Sequence, residues 1–376
     1  MKRDVPLDVV RGLCIVSMVV AHLASGSFLS RMINVSTLVD GASGFFLLSG
    51  LVLGIVYERR SSQMTTRSMQ HKIVRRAGLI FAVHGLLLLL AVGVGSQVRG
   101  PEWADPAVVG GWIATLIGTV TLTLNPPMFG ILSVYVPLML MAAIVVPMLA
   151  AGRYGLAATS VVATYGASMV WPSVFTLPEA PGVPGFWNWG GWQALFFAGL
   201  FAGWFWRRLG LRERSLAPRG LLVSVGVVAG GMLLWRLLAS DPVQPFLLGM
   251  DGEELRWALF NKGAMAPLRL VMALAAIAVL YAVVTTVHER GWLRGPVAVI
   301  ARIGRKSLDS FVISRLALIA LSVVFTYESG TWFGALTAVL TLAAGWLWAK
   351  WREDLGGAGP GLRQKVFGLR GAPSAG

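Results

Sequence analysis

Three ionisable residues, Asp8, Arg11 and His22, interrupt an otherwise apolar first segment built from Leu, Val, Ile, Met and Ala. At about 100° of rotation per helical residue, Arg11 and His22 differ by about 20° and Asp8 and His22 by about 40°, so all three occupy one face. Each ionisable group inside an apolar span costs roughly 2.5 to 3.5 kcal/mol on insertion scales, so that face must point into protein. Asp8 and Arg11 are spaced i, i+3 and can pair, which reads first as a structural clamp. His22 stands about 21 Å along the helix axis from Asp8. Such an imidazole is either a core histidine satisfied by a neighbour or a general base, for which a carboxylate fixes the tautomer and steadies the imidazolium. Asp40, at the start of the second apolar segment, is at a suitable height to be that carboxylate.

The elements that position these residues follow from composition. Of 376 residues, 56% are hydrophobic and 13% charged, about half the charge content of a soluble globular chain. The formal net charge of +15 fits membrane topology better than nucleic-acid binding in so apolar a chain. Cys14 is the only cysteine, which excludes an intramolecular disulfide or a thiol-based metal site. The basic N-terminus followed by an apolar run is interrupted by Asp8 and Arg11, and is expected to stay as an uncleaved first helix.

Apolar stretches fall at 7–27, 38–57, 73–95, 109–124, 128–151, 154–171, 190–206, 218–238, 264–287, 304–326 and 331–351. Basic clusters at Arg59 to Arg76, Arg207 to Arg219 and Arg290 to Lys306 each mark a cytoplasmic connection. The three agree in parity only if one stretch between residues 95 and 190 does not cross. The weakest is 109–124, short and ended by Asn125-Pro126-Pro127, which leaves it re-entrant or at the outer surface. The expectation is an all-α polytopic bundle of about ten transmembrane helices with both termini cytoplasmic. Residues 1–351 form the membrane domain and 352–376 a flexible basic tail. Outer connections lie at 96–127, 172–189 and 239–263.

The first sixty residues carry Leu7-Asp8-Val9-Val10-Arg11-Gly12, Met18 to His22, Asp40-Gly41-Ala42 and Phe45-Phe46-Leu47-Leu48-Ser49-Gly50 with Gly54 and Tyr57. This pattern resembles the succinyltransferase family that modifies osmoregulated periplasmic glucans, within the acyltransferase-3 superfamily of membrane acyltransferases. Tyr135, Trp192 to Phe197, Pro267 to Leu270 and Gly304 to Leu308 extend the likeness along the chain. The resemblance implies a bundle that takes an acyl group from cytoplasmic acyl-CoA and places it on a glycan hydroxyl outside, with His22 as catalytic base. Two positions depart from the pattern: Ser43 stands where the family often has an acidic residue, and Asp309 where an aromatic is usual.

Other residues fit that chemistry. Arg75 and Arg76, similar to a basic motif of the superfamily, and Arg305 offer the planar fork that suits coenzyme A phosphates, although topology signalling explains them equally. Trp187, Asn188, Trp189, Trp192 and Gln193 cluster at an outer helix mouth, where indoles could stack on sugar rings and amides bind hydroxyls. An interfacial aromatic belt accounts for the tryptophans alone. Tyr135, Arg315 near mid-span and Arg269 about one turn inside the outer face complete the substrate-side candidates. Arg315 could instead neutralise Asp309, and Arg269 could snorkel outward. His84 reads as structural. No phosphate loop, HExxH motif or nucleophile elbow occurs, and neither a metal nor a nucleic-acid partner is expected.

The sequence therefore points to a multi-pass enzyme of the bacterial inner membrane, an O-acyltransferase of succinyl or acetyl type. Its donor is succinyl-CoA or acetyl-CoA, its acceptor an extracytoplasmic glycan or glycolipid, and its surroundings membrane lipid. The catalytic candidates are His22, Asp40, Asp8 and Arg11. Acetyl transfer resembling that of lysosomal heparan glucosaminide N-acetyltransferases is a rival within this chemistry. The rival of another class is a transporter or flippase for an anionic or lipid-linked glycan, with Arg11, Arg269 and Arg315 as counter-charges. The acceptor, acyl group and oligomeric state are not legible.

Overall fold

Backbone placed in lipid must close its own hydrogen bonds, and nearly every apolar stretch of this sequence does so as an α-helix. The computed structural model describes residues 4–34, 36, 38–96, 110–126, 129–180, 182–239, 251–324 and 330–357. In chain order the first helices are α1 (Val5–Leu23), the short α2 (Phe28–Ile33), α3 (Gly41–Arg60), α4 (Thr66–Gly95), α5 (Gly111–Thr121), α6 (Gly130–Ala150), α7 (Tyr154–Val170) and α8 (Pro172–Phe175). Strands β1 (Thr176–Leu177) and β2 (Trp187–Asn188) precede α9 (Trp189–Trp204), α10 (Leu211–Leu216), α11 (Pro218–Leu238) and α12 (Gly252–Phe260). The chain then forms α13 (Pro267–Glu289), α14 (Arg294–Arg305), α15 (Ser307–Val324) and α16 (Trp332–Gly357).

Seven helices among the described residues are long and apolar enough to cross a membrane: α1, α3, α4, α6, α11, α13 and α16. Helices α7, α9 and α15 have 17, 16 and 18 residues. Helix α5, with 11 residues, is about 16 Å long and too short for a hydrocarbon core of roughly 30 Å. The chain turns back after it through left-handed Leu122, and Asn125 is tied to Pro178, Glu179 and Leu122 by hydrogen bonds to their carbonyls.

Four details differ from the expected boundaries. The bundle includes one antiparallel pair, β1–β2, that registers Thr176 with Asn188 and Leu177 with Trp187. The stretch expected over 304–326 is broken at Lys306, where amphipathic α14 ends and α15 begins. Helix α4 starts at Thr66, so its 30 residues carry Lys72, Arg75 and Arg76 as a helical extension. Helix α16 runs past residue 351, and residues 352–357, expected in the tail, are helical. Residues 358–376 lie outside the described residues, as do parts of the connections at 96–127 and 239–263.

Small residues set the closest helix contacts, as expected where lipid-like surroundings leave packing to hold helices together. Gly50 and Gly54 of α3 lie against the carbonyls of Phe196 and Leu200, while Gly199 and Gly203 of α9 lie against those of Leu47 and Leu51. The two helices thus mesh through reciprocal i, i+4 glycines. Likewise, Gly12 of α1 sits under the Ile300 carbonyl and Gly304 of α14 on that of Asp8. The last two contacts fix α14 against α1, on which Arg11 and His22 stand about 16 Å apart along the axis.

Candidate active site

His22 lies in the last turn of α1 and is half-buried. The charged groups that act on its ring are Arg315, Lys262 and Asp40. Among the described residues the imidazole has no hydrogen bond. Helix α3 sets Asp40 alongside the second half of α1, since Gly41 packs on the Cys14 carbonyl and the Ser17 side chain, the latter about 8 Å along the axis from His22.

The expectation that Asp40 orients the imidazole through a direct bond is not met by this geometry. Asp40 is the N-cap of α3: Oδ1 accepts the Ser43 N–H at 2.8 Å and the Ser43 hydroxyl at 2.9 Å. Oδ2 receives Lys262 Nζ at 2.8 Å and Arg269 Nη2 at 3.3 Å. Burial alone would raise the Asp40 carboxyl, but the Lys262 charge and hydrogen bond, the Arg269 charge and the Ser43 N–H together hold it below its ordinary value. Asp40 therefore acts on His22 through space.

Arg269 does not snorkel. It is 3% exposed and donates to the Phe260 carbonyl as well as to Asp40. Arg315 is 1% exposed, and its guanidinium lies 4.7 Å from the centre of the Phe311 ring one turn earlier. Asp309, considered as its counter-charge, pairs instead with Arg352 at 2.6 Å.

Three of the residues expected to bind a sugar, Asn188, Trp192 and Gln193, are buried and hydrogen-bonded within the fold. Trp192 and Gln193 are fully buried and Asn188 is nearly so. Trp192 Nε1 donates to the Gly263 carbonyl at 3.1 Å, and Gln193 Nε2 to the Val161 carbonyl at 2.9 Å. Asn188 caps α9 by accepting the Gly191 N–H at 2.9 Å and donates to the Ser168 carbonyl at 3.1 Å. Its backbone N–H also reaches Gly263. Tyr165 donates to the Met265 carbonyl, and Met265 adopts a left-handed φ of 49°. Together these bonds clamp residues 261–266, the loop that carries Lys262. Trp187 is only partly buried and packs on Trp192 at 4.8 Å between ring centres.

At the opposite end of α1, Arg11 Nη2 donates to Ser307 Oγ at 2.7 Å, and Asp8 is buried at the α1–α14 crossing. Neither lies beside His22. Arg11 instead helps line a cavity of about 540 Å³ with Arg60, Lys72, Arg76, Arg305, Lys306 and Arg352, and with Asp309 as its one acidic residue. Arg305 and Arg302 share Glu353. Arg60, Lys72, Arg76 and Lys306 have no acidic partner among the described residues. Arg75, the other expected phosphate ligand, is exposed and does not line the cavity. One helical step of 100° turns it away from Arg76.

The cavity reaches Ser49, about 16 Å along α3 from Arg60, leaving about 13 Å to Asp40. Aromatic rings fill that interval. Phe45 meets Tyr135 at 5.5 Å and Phe311 at 6.4 Å, and Tyr135 stacks on Phe46 at 4.5 Å. The Tyr135 hydroxyl donates to the Phe45 carbonyl at 3.2 Å, so this candidate is part of the partition between the two sites.

Lys262 is the site residue that sequence reasoning missed. It is one of two cations in the connection 239–263, which was read only as acidic. Lys72 and Lys306, read as topology signals, join the cavity wall.

Apolar helices with charged residues buried among them define a multi-pass membrane protein. The chain belongs to the OpgC family: the family model described as OpgC protein matches residues 3–355. Membership makes it a membrane protein of the glucan-modifying, acyltransferase type. No curated protein matches the chain.

Proposed function

We propose that this protein is a membrane O-acyltransferase that carries a succinyl- or acetyl-type group from cytoplasmic acyl-CoA to a hydroxyl of an extracytoplasmic glycan or glycolipid. Ten helices, the seven long ones with α7, α9 and α15, cross the bacterial inner membrane, and both termini are cytoplasmic. The observation that carries this reading is the placement of His22 and a cation-lined cavity at opposite ends of α1. That is the arrangement a reaction between an internal anionic donor and an external acceptor requires.

The donor's phosphates bind Arg60, Lys72, Arg76 and Lys306 in the cavity, with Arg11 and Arg305 in its wall. The pantetheine arm passes the Phe45–Tyr135–Phe311 partition and brings the thioester toward His22. An imidazole nitrogen of His22 takes the proton of the acceptor hydroxyl as its oxygen bonds to the thioester carbon. The carbon–sulfur bond then breaks, and the thiolate leaves with coenzyme A and is protonated. Arg315 faces the negative charge that develops on the carbonyl oxygen. Positioning two reactants across the partition contributes much of the acceleration.

Membranes containing the wild-type protein, supplied with acyl-CoA on one side and glycan on the other, should yield a glycan heavier by one acyl mass. His22→Ala at equal protein level should reduce the yield by about 100-fold or more. Full activity in His22→Ala would overturn the mechanism. Movement of unmodified glycan across the membrane without acylation would favour the transporter.

A further inference from the structure

The loop that carries Lys262 holds a rarely adopted backbone conformation, and the cation it presents has donors beyond the one that meets Asp40. Met265 is held in a left-handed conformation that a non-glycine residue rarely adopts. Four hydrogen bonds, from Trp192, Tyr165 and the Asn188 N–H and from the Ala264 N–H to Asn261, fix the loop in place. Without Lys262, Asp40 would keep the Ser43 N–H and hydroxyl and the Arg269 guanidinium. Arg269, 4% exposed at its side chain, is the buried counter-charge of this carboxylate, whereas Lys262 is 37% exposed and stands at the open edge. An ammonium has three N–H donors, and Asp40 is its one acidic partner among the described residues.

The charges that act on His22 are those of the cations Arg315 and Lys262 and of the carboxylate Asp40, whose Oδ2 also carries Arg269. A proton taken up by the imidazole adds a further positive charge to that group. An anion arriving with the substrate offsets it.

We propose that Lys262 is an anion-binding residue at the Asp40 end of the candidate site, receiving a carboxylate or phosphate oxygen that a substrate carries near its reacting centre. The inference rests on the acyl-transfer reading and names what that site selects. The anion has two possible sources, a free carboxylate on the acyl group or an acidic substituent on the glycan.

Purified full-length protein is assayed with succinyl-CoA and its neutral near-isostere butyryl-CoA as donors. The acceptors are a neutral gluco-oligosaccharide and the same oligosaccharide bearing one uronate. For the wild type, Lys262→Met and Lys262→Arg, the readout is the ratio of kcat/KM for each charged substrate to its neutral counterpart. Lys262→Gln replaces Lys262→Met where the latter does not fold. The expected result is that Lys262→Met lowers the ratio about tenfold or more in one arm, chiefly through KM, and that Lys262→Arg restores it. The arm that responds identifies the source. Equal losses in all four substrate pairs would assign Lys262 to the developing oxyanion or to folding and would overturn the proposal, as would unchanged ratios. Equilibrium binding of the same charged and neutral ligands to His22→Ala protein, with and without Lys262→Met, reads the selectivity without turnover. Selective binding through Lys262 together with no transfer by the wild-type protein would refute the acyl-transfer reading while leaving the anion site standing.

Discussion

Lys262 and Arg269 meet on a single oxygen of Asp40, at 2.8 and 3.3 Å, while the other oxygen caps α3 through the Ser43 N–H at 2.8 Å. One carboxylate thereby joins the loop 261–266, the start of α13 and the start of α3. The groups around His22 depend on it for both charge and position.

Asp40→Ala should accordingly be among the most destabilising single changes at this end of the protein. It removes a helix cap, typically about 1 kcal/mol, and takes the carboxylate partner from the buried guanidinium of Arg269. Breaking a buried pair by deleting one partner costs roughly 3 to 5 kcal/mol. Thermal unfolding in detergent should show a markedly larger drop for Asp40→Ala than for His22→Ala. Equal melting temperatures would show that Asp40 does not hold these elements together.

The pH dependence of that contribution has a definite sign. The folded carboxyl lies below its ordinary value because Lys262, Arg269 and Ser43 outweigh the effect of burial. The folded state thus binds fewer protons than the unfolded state near pH 4, and its stability rises with pH there. The contribution is complete above the unfolded value of about 3.9 and is lost as pH falls through the folded one. The melting-temperature gap between wild type and Asp40→Asn should stay level from about pH 7.5 to 5 and narrow below about pH 4. Narrowing between pH 7 and 5 would contradict this account.

Arg75 and Arg76 are adjacent in sequence but differ in placement, since only Arg76 lines the cavity. Arg76→Ala should weaken coenzyme A binding by about tenfold, because it deletes a charge-assisted phosphate contact. Arg75→Ala should change it less than about threefold. Isothermal titration at two salt concentrations separates the cases, with a shallower salt dependence for Arg76→Ala alone. Equivalent losses for the two variants would place the phosphates elsewhere.

The reciprocal glycines of α3 and α9 give a test that involves no substrate. Gly50→Val or Gly199→Val drives a side chain into the Phe196 or Leu47 carbonyl, with an overpacking cost of about 3 kcal/mol. Gly226→Ala and Gly230→Ala, on α11 with nothing within 4 Å of the added carbon, should stay within about 1 kcal/mol of wild type. Monodispersity and melting temperature of the four variants report the difference. Tolerance of valine at either packed position would show that α3 and α9 do not approach as described.

Hydrophobic length and charge placement made the long helices legible, because a span has to be apolar whatever its neighbours are. They also marked 109–124 as the weakest candidate span, and α5 within it is 11 residues long. Helix α14 was hidden because an amphipathic helix that packs on α1 carries no long apolar run. The Asp40 cluster was half legible. Asp40 was visible as a lone acid at the head of α3, but Lys262 is 222 positions away in sequence and reaches it only through the fold of the loop 261–266. The tryptophan, asparagine and glutamine around α9 misled for a related reason. Side chains that could bind a sugar also satisfy buried carbonyls, and only the fold shows that Gly263, Ser168 and Val161 occupy them.

That distinction carries the remaining prediction. Trp192→Phe keeps an aromatic ring but removes the N–H that meets the Gly263 carbonyl, leaving a buried acceptor unpaired at a cost of roughly 1 to 3 kcal/mol. Asn188→Ala removes the α9 cap and the bond to Ser168, about 1 kcal/mol for the cap alone. If these residues held the acceptor, the acceptor KM would rise while the melting temperature stayed near wild type. With the bonds found here, both variants should lower the melting temperature, and any kinetic change in Trp192→Phe should accompany loosening of the loop that presents Lys262. In Trp192→Phe the charged-to-neutral substrate preference should then shift in the same direction as in Lys262→Met. A raised acceptor KM in Trp192→Phe with unchanged melting would return the indole to the sugar site, because a side chain whose only task is to hold the loop cannot be altered without loosening it.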